Sequence, residues 1–490
     1  MVDASEILLN IEENFELFNL ELRGFRVWGM SRYKIYEKIH SAINNKNKKY
    51  NKRNIDMDLK KYISNIKYLS SFRWKRNNYT KSDILCVSGI TLRRKIVNNK
   101  YFDVIFDFIG KYDKSSYAIL NTLSGNGFKK NHYTLKCYNM SNLTLKNHLI
   151  KSMYKIKLNE QEKIYINEKF KNVEEYLKNK YSINLDLNKI VCEQTAILLS
   201  QYKTVCNIIK KVNPKVLYVE CAYSPTHLLF VYAAKKLKIP VVEFQHGLIS
   251  SKHIGYKYNQ STYKIDPTPD YICVYGSYFE SMIRKMNPNL NLNIIKYGYP
   301  FLYEELLQRK KNKLKESKKY DYLITTQGEE YSDYWVRFIQ DLLQKDNECK
   351  VLLKVHPNEI LIYKQLYSKI LNNPRIMVSQ NENIYDCFRK SKRHVSCFST
   401  CHYEALVYDI PTYVIRFPGW EHVKILTAYN VKYFDNASEI VNYLNLNGDN
   451  KILFSKFKRD FFDIESDNIR EDKIKEKILY TNKFFINNKL

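Results

Sequence analysis

The chain has 490 residues, 44% of them hydrophobic, and 80 lysines and arginines against 51 acidic residues, which gives a formal net charge of +29. This length predicts at least two domains with sizeable cores. The lack of any run of about 18 apolar residues excludes a membrane-spanning helix, and the ten scattered cysteines form no disulfide framework, so we expect reduced thiols. The charge favours an anionic partner, although the Lys, Asn, Ile and Tyr bias of an AT-rich genome accounts for it equally well.

The first half of the chain becomes regular after an unassigned start. The first 20 residues are acidic and lack a basic segment followed by an apolar one, so we expect no secretion signal. Residues 162–181 and 188–212 have helical spacing, and Ser224-Pro225 is typical of a helix start. Short apolar runs predict strands at 83–89, 117–123, 215–221, 241–245, 270–276 and 293–300. Strands and helices alternating at this spacing predict parallel βαβ units.

The second half repeats this pattern after a charged segment, residues 304–319, which we interpret as a linker. Further strands are predicted at 320–326, 350–357, 375–379, 394–399 and 411–417. We therefore predict an α/β protein of GT-B-like architecture, with two Rossmann-like parallel-sheet domains facing each other across a cleft and ligands at the carboxyl ends of the strands. The predicted boundaries are 1–303 for the first domain, with helical insertions at about 124–212, 320–445 for the second, and 446–490 for a helical tail packing back on the first.

The first candidate site is Gln245-His246-Gly247, which follows the strand predicted at 241–245. An imidazole at a strand end can accept a proton from a hydroxyl near neutral pH, and a glycine allows a sharp turn or close approach to a ligand. A histidine that only hydrogen-bonds its own loop is the commoner arrangement. We take His246 as a candidate base, with Gln245, Gly247 and His253 beside it on the acceptor side.

Two further strand ends carry groups suited to phosphate. Pro357 ends the strand predicted at 350–357, and His356 together with Lys354 can bind a phosphate oxygen. Ser399 and Thr400 lie where a strand passes into a helix, whose free N–H groups and dipole favour anions. Glu404 follows about one turn later, within reach of a ribose. An ordinary strand exit and a capped helix are the plain alternatives.

Taken together, these motifs resemble GT-B-fold glycosyltransferases of bacterial capsule and lipopolysaccharide synthesis. The similarity runs through LITTQG, KVHPNE, IYDCF and FSTCHYEALVYDIPTYVI, and covers roughly residues 215–445. His-Pro followed by Ser-Thr is similar to the nucleotide-binding pair of bacterial sialyltransferases and polysialyltransferases. His-Gly resembles the proposed base of teichoic-acid glycerophosphotransferases.

The resemblance implies a role for each matching residue. His356, Ser399 and Thr400 become donor-phosphate contacts, Glu404 a ribose or phosphate-side contact, and His246 the base. Gln327, Gly328, Lys354 and Pro357 are placed on the donor side as well. The chain departs from both patterns: His-Gly is followed by Leu-Ile rather than Thr-Pro, and Gly328 precedes Glu329-Glu330, whereas sialyltransferases have an acidic pair before a glycine. Glu329 and Glu330 are therefore the second candidates for the base.

The favoured function is a metal-independent, inverting glycosyltransferase that moves a sugar from a nucleotide-activated donor, CMP- or UDP-linked, to a growing surface glycan. We expect no cofactor, no nucleic-acid partner, a lipid-linked or oligosaccharide acceptor, and a cytoplasmic location with peripheral contact to the anionic inner membrane. The alternatives are a polyol-phosphate transferase, a sugar-nucleotide 2-epimerase and, on charge alone, a nucleic-acid-binding protein. A zinc site at His394, Cys397, Cys401 and His402 is disfavoured because the spacing is not that of a zinc knuckle.

Overall fold

The computed structural model describes residues 3–45, 77–89, 95–97, 99–122, 132–262, 267–311, 318–380, 382–465 and 470–487. The chain forms two compact units. The first comprises residues 1–297 and 475–490, and the second comprises residues 298–474. Leu123 of the strand predicted at 117–123, and most of the basic run at 44–54, lie outside the described residues.

The N-terminal segment, left unassigned from sequence, consists of two helices with a short antiparallel β-hairpin between them. Its elements are α1 (Ala4–Asn14), β1 (Glu21–Leu22), β2 (Phe25–Arg26) and α2 (Trp28–Asn45). The buried Glu12 carboxylate accepts hydrogen bonds from the Trp28 indole at 2.7 Å and from Arg32 at 2.6 Å. One carboxylate therefore joins both helices.

The first unit is built on a parallel sheet of seven strands in the order β11-β10-β9-β8-β3-β6-β7. The strands of this region are β3 (Ile84–Ser88), β4 (Lys95–Val97), β5 (Lys100–Phe102), β6 (Tyr117–Asn121), β7 (Cys137–Asn139), β8 (Val216–Val219), β9 (Val241–Phe244), β10 (Tyr271–Val274) and β11 (Ile294–Lys296). β4 and β5 form a separate antiparallel pair. The central strands are buried on both faces, which is why they read as continuous apolar runs.

Helices cover this sheet and extend the unit. They are α3 (Asp107–Tyr112), α4 (Ser141–Ser152), α5 (Tyr154–Lys157), α6 (Glu160–Tyr181), α7 (Leu187–Val212), α8 (Pro225–Lys236) and α9 (Ser277–Met286). A capping box between Asn159 and Glu162 sets the start of α6. The described part of the predicted helical insertion also contains the strand Cys137–Asn139, which pairs with Ile119–Asn121 and was missed because it is only three residues long.

The second unit has a parallel sheet of six strands in the order β14-β13-β12-β15-β16-β17. These strands are β12 (Tyr320–Thr325), β13 (Val351–Lys354), β14 (Ile376–Ser379), β15 (Ser391–Ser396), β16 (Thr412–Ile415) and β17 (Lys432–Phe434). Renumbered along the chain, this is the doubly wound order 3-2-1-4-5-6, and the first sheet has the same order with one further strand. The prediction of two Rossmann-like parallel-sheet domains is confirmed.

The helices of the second unit include α10, which the sequence did not predict. They are α10 (Pro300–Lys311), α11 (Ser332–Lys345), α12 (Tyr363–Leu366), α13 (Ile384–Lys390), α14 (Cys401–Val407), α15 (Ala437–Asn447) and α16 (Phe454–Phe462). Helix α10 occupies the first half of the segment interpreted as a linker, because Phe301, Leu302 and Leu306 give it a buried face. Residues 312–317 of that segment lie outside the described residues.

The last described helix, α17 (Glu471–Asn487), returns to the first unit. Its Asn482 side chain accepts a hydrogen bond from the Tyr218 hydroxyl at 3.0 Å and donates to Asp113 at 2.8 Å. Phe485 packs edge-on against Tyr271 at 4.9 Å between ring centroids. None of the helices that the structure describes is long and apolar enough to cross a membrane.

Candidate functional site

The topological switch point of the first sheet lies between β3 and β8, the position where ligands bind in doubly wound folds. Ser88 and Gly89 end β3, and Glu220 ends β8. The Glu220 carboxylate accepts hydrogen bonds from the Gly89 N–H at 2.7 Å and from the Ser88 hydroxyl at 3.3 Å. Glu220 is buried, so it ties the two strand ends together. Sequence reasoning missed it, and its only signal is an acidic residue directly after an apolar run.

His227, in the first turn of α8, lies beside this point and was also missed. Its Nε2 atom is 3.1 Å from the Thr122 hydroxyl. Burial, followed by the proximity of His246, lowers the pKa of His227 to about 3. This ring is therefore neutral at pH 7 and helps to pack the strand ends.

His246 lies just beyond the carboxyl end of β9, separated from it by Gln245, and is partly exposed. The buried Gln245 side chain accepts from the Tyr275 N–H at 2.8 Å and donates to the Gly247 carbonyl at 2.8 Å. These two bonds shape the turn that presents His246, so Gln245 supports the turn. Gly247 is exposed, and a Cβ atom there would meet nothing within 4 Å, so a ligand can approach the backbone closely.

The Tyr223 ring, from the loop after β8, lies beside the His246 ring. The Tyr223 hydroxyl lies 3.3 Å from His246 Nε2 and 3.3 Å from His253 Nε2. His253 caps the short 3₁₀ turn Ile254–Tyr256, with its Nδ1 accepting from the Gly255 N–H at 3.2 Å. The structure therefore brings the predicted His246 and His253 together through a tyrosine that sequence reasoning did not select.

A buried carboxyl group lies within β9 itself. Glu243 Oε1 accepts a hydrogen bond from the Ala222 N–H at 3.1 Å. Burial raises the pKa of Glu243 to about 8, so the side chain is protonated at neutral pH. Sequence reasoning did not select Glu243. A single charged residue in a short strand does not show whether its side chain is buried, and here all four residues of β9 are buried.

The switch point of the second sheet lies between β12 and β15 and contains a closed polar network. The Thr325 hydroxyl donates to Ser396 Oγ at 2.8 Å, and Gln327 Nε2 donates to the same oxygen at 2.6 Å. The Trp335 indole donates to Gln327 Oε1 at 2.9 Å. Gln327, predicted on the donor side, thus ties β12 to β15 and to α11.

Gly328 and the two glutamates after it form the turn out of β12. Gly328 has φ +144°, a conformation that favours glycine, and precedes the short 3₁₀ turn Glu329–Tyr331. Glu329 and Glu330 are both exposed. The structure therefore places these second candidates for the base on the surface.

His356 is held by its own backbone turn in a defined orientation. Its N–H donates to the buried Glu359 carboxylate at 2.9 Å and to the Thr326 hydroxyl at 2.8 Å. Its Nδ1 accepts from the Asn358 N–H at 3.3 Å, so the neutral ring carries its proton on Nε2. The described residues supply no partner for Nε2, which leaves an N–H donor at the carboxyl end of β13. Pro357 is exposed and starts the turn.

Lys354 and Ser399 belong to neighbouring parts of the same sheet edge. The Lys354 ammonium donates to the Gln380 carbonyl at 2.8 Å, and burial lowers its pKa. The Cys401 backbone N–H donates to the Ser399 hydroxyl at 3.1 Å. Lys354 ends β13, and Ser399 lies in the turn after β15.

The remaining donor-side residues are less directly placed. Thr400 is exposed and precedes α14, which is only seven residues long. Glu404 Oε1 accepts from the Tyr385 hydroxyl at 3.1 Å and is partly exposed. Three groups at or before this helix therefore remain as candidates for donor contacts: the Ser399 hydroxyl, the exposed Thr400 and the second carboxylate oxygen of Glu404.

The two histidines of the disfavoured zinc site, His394 and His402, make hydrogen bonds inside the protein instead. The Nδ1 atoms of His394 and His402 lie 2.8 and 2.7 Å from the Thr412 hydroxyl, and both rings are buried. Burial lowers the pKa of His402 to about 4. The Cys397 thiol donates to the Phe417 carbonyl at 3.4 Å. In the part of the chain that the structure describes, no three His, Cys, Asp or Glu side chains are grouped to hold a metal ion.

No model of a known protein family matches the chain, and no curated protein does either. Among solved structures, it is similar to a UDP-GlcNAc 2-epimerase of Neisseria meningitidis bound to UDP-GlcNAc, at 14% identity and TM-score 0.45, over 83% of this chain and 100% of that one. It is also similar to the Methanocaldococcus jannaschii UDP-GlcNAc 2-epimerase in complex with UDP-GlcNAc and UDP, at 14% identity and TM-score 0.47, over 82% and 99%. A third is the wall teichoic acid polymerase TagF, at 10% identity and TM-score 0.44, over 87% and 97%. At these values the function has to be argued from the chain's own residues.

Proposed function

We propose that the protein is a glycosyltransferase that transfers a sugar from a nucleotide-activated donor to a hydroxyl of a growing bacterial surface glycan. The observation that supports this proposal is the set of hydrogen-bond donors at the carboxyl edge of the second sheet. Lys354, His356 and Ser399 offer an ammonium, an Nε2–H and a hydroxyl there. Such donors suit the diphosphate or monophosphate of a nucleotide, whose charge grows as it leaves.

The first unit supplies the proposed base. His246 lies at a strand end, is partly exposed, and has one ring nitrogen facing a tyrosine hydroxyl. It takes the proton of the acceptor hydroxyl as that oxygen attacks the anomeric carbon and the nucleotide leaves. Direct attack of this kind inverts the anomeric configuration. NMR of the product would show the inverted anomer, and a retained configuration would contradict the direct displacement.

A sugar-nucleotide 2-epimerase is the second candidate. Such an enzyme needs acid–base groups that reach the sugar. The acidic groups at the ends of the central strands in the first unit are buried: Glu220 binds the backbone of Gly89, and Glu243 binds that of Ala222. Their structural bonds favour transfer over epimerisation. The two reactions are separated by incubating the protein with candidate sugar nucleotides alone, because only an epimerase changes the sugar without releasing nucleotide.

The proposal is tested by titration calorimetry with CMP, UDP, CDP and GDP. One of these nucleotides should bind to the parent protein. We expect His356→Ala to weaken its binding roughly 10- to 100-fold, the size of a hydrogen bond to a charged group. His40→Ala, which removes an exposed histidine of α2 in the first unit, is the matched control and should bind as the parent does. Binding of none of the four nucleotides by the parent, or equal binding by His356→Ala, would contradict the donor site.

We further propose that the protein binds its acceptor while it is in contact with an anionic membrane surface. Five of the seven exposed large apolar side chains that the structure describes in the first unit fall within one segment: Leu149, Met153, Ile156, Ile164 and Tyr165. Lys146, Lys155 and Lys157 are exposed in the same segment. Apolar side chains flanked by lysines suit the headgroup region of an anionic bilayer.

A further inference from the structure

The feature that carries a further inference is the hydroxyl of Tyr223, which lies between two imidazoles. Tyr223 follows β8, His246 follows β9, and His253 belongs to the loop after His246. The Tyr223 ring packs at 5.2 Å from the His253 ring and at 5.0 Å from that of Tyr33 in α2. Its hydroxyl is 3.3 Å from the Nε2 atom of each histidine.

The direction of these hydrogen bonds follows from the backbone. The Gly255 N–H donates to His253 Nδ1 at 3.2 Å, so that nitrogen carries no proton. Burial, with a smaller contribution from nearby Arg32, lowers the pKa of His253 to about 4, so the ring is neutral with its proton on Nε2. This N–H donates to Tyr223 Oη, which leaves the tyrosine proton to be donated onward.

His246 Nε2 is an acceptor for that proton. The Cys221 thiol is the other polar group facing the Tyr223 hydroxyl. A thiol is a weak acceptor, whereas an imidazole nitrogen is a strong one. The remaining titratable neighbours are neutral at pH 7: burial lowers the pKa of His227 to about 3 and raises that of Glu243 to about 8. Burial also raises the pKa values of Tyr33 and of Tyr256, which flank the Tyr223 ring.

The position of Tyr223 is fixed by a glycine and by the N-terminal helices. A Cβ atom on Gly255 would lie 2.4 Å from Tyr223 Cδ1, so only glycine leaves room for the ring. Arg32 of α2 donates to the Ile254 carbonyl and is itself paired with Glu12. The loop that carries His253 and Gly255 is therefore held against Tyr223 by residues more than 200 positions earlier in the chain.

We propose that Tyr223 is a positioning residue for His246, whose hydroxyl donates to Nε2 and holds the imidazole with its proton on the buried Nδ1. This inference rests on the proposed function in so far as His246 is the base. The nitrogen that receives the acceptor proton is then Nε2, which is unprotonated and whose single lone pair accepts from Tyr223 until the acceptor hydroxyl takes the place of that donor. His253, Gly255 and Arg32 act through Tyr223.

The test is the tautomer of His246, read from long-range ¹H–¹⁵N spectra of the full-length protein labelled with ¹⁵N-histidine and assigned by comparison with His246→Gln. In the parent we expect Nδ1 protonated and Nε2 unprotonated. In Tyr223→Phe, which keeps the ring, the population with the proton on Nε2 should rise, because free neutral imidazole favours it. Gly255→Ala, which displaces the Tyr223 ring, should have the same effect.

Tyr33→Phe is the matched control, since it removes a hydroxyl from the neighbouring ring and should leave the tautomer unchanged. A proton on Nε2 in the parent, or an unchanged tautomer in both Tyr223→Phe and Gly255→Ala, would overturn the proposal. No nucleotide or acceptor is present in this experiment. Its result is therefore independent of whether the protein transfers sugar.

Discussion

His246 and His356 each follow a buried strand, but the backbone uses their rings differently. The Nδ1 atom of His356 is occupied by the Asn358 N–H, so its outward nitrogen is a donor. The Nε2 atom of His246 lies 3.3 Å from the Tyr223 hydroxyl, and our proposal makes this nitrogen an acceptor. A hydrogen-bond donor suits a phosphate oxygen, and a hydrogen-bond acceptor suits a hydroxyl proton. On this basis we assign His356 to the nucleotide-sugar donor and His246 to the acceptor substrate.

This difference predicts separate effects of removing each ring. We expect His246→Ala to lower turnover by roughly 10²- to 10⁴-fold, the range of a lost general base, with nucleotide affinity nearly unchanged. His356→Ala should instead weaken nucleotide binding as well. The measurements are a transfer assay and calorimetry on the same preparations. Parent-like turnover in His246→Ala would make that histidine structural and turn attention to Glu329 and Glu330.

Glu243 predicts a pH dependence of stability. Its folded pKa of about 8 lies above the ordinary value of 4.5, so the folded state binds more protons than the unfolded state between these values. The stability contributed by the protonated side chain is fully present below about pH 4.5 and is lost as pH rises to about 8. Glu243→Gln, which keeps the acceptor for the Ala222 N–H, should remove this loss.

We therefore expect Glu243→Gln to raise the melting temperature relative to the parent at pH 8.5. The corresponding gain in the free energy of unfolding should be on the order of a few kcal/mol. The difference should be small at pH 5. Calorimetric scans of both proteins at the two pH values provide the measurement. A gain of equal size at both pH values would show that the effect is one of packing rather than of protonation.

At this scale the sequence predicts where functional groups occur but not what surrounds them. His246, His356 and Ser399 were found because each directly follows an apolar run. Tyr223, Glu220 and Glu243 were missed because their importance depends on contacts between different loops and strands. Gln245 and Gln327 were selected as ligand contacts, yet their side chains bind the Tyr275 backbone and Ser396, respectively, which adjacency in sequence does not reveal.

At the scale of elements, the helical hairpin α1–α2 is held by a buried ion pair. Glu12 and Arg32 have side chains 4% and 12% exposed, and Glu12 also accepts from the Trp28 indole. Glu12→Ala would leave Arg32 and the indole without their carboxylate. We expect a loss of about 3–5 kcal/mol in the free energy of unfolding of the first unit, measured by denaturant titration.

The control is a surface ion pair of the same helix. Lys34 and Glu37 are 2.8 Å apart, with side chains 39% and 47% exposed. Lys34→Ala should cost less than about 1 kcal/mol, because exposed pairs are screened by water and salt. If the two variants lost similar stability, the buried pair would not be what joins the hairpin.

Elements with a clear period were predicted closely and short or charged ones were not. The α7 helix was predicted at 188–212 and is found at Leu187–Val212, because its apolar face repeats at helical spacing. The strands Cys137–Asn139 and Lys432–Phe434 were missed because three residues are too few to show alternation. Residues 304–311 of helix α10 were interpreted as part of a linker because this stretch is charged and poor in residues that favour strands.

At the scale of the whole molecule, the net charge of +29 predicts salt-dependent binding to anionic vesicles. Each lysine or arginine near such a surface contributes about 1 kcal/mol, and salt screens this attraction. The double variant Lys155→Glu/Lys157→Glu should weaken binding in a sedimentation assay. Lys432→Glu/Lys451→Glu changes the net charge by the same amount on exposed lysines of the second unit and should bind as the parent does. Equal binding of the parent to neutral and anionic vesicles would contradict the electrostatic account.

The return of helix α17 to the first unit has a consequence for how the protein is made. A ribosome releases the chain from its N-terminus, and a domain generally folds once its own residues have emerged. The second unit, residues 298–474, can therefore be complete before the first, whose residues 475–487 emerge later. Until then Tyr218 and Tyr271 lack the Asn482 and Phe485 contacts that cover them. The first unit is therefore completed last, although most of its residues are synthesised first.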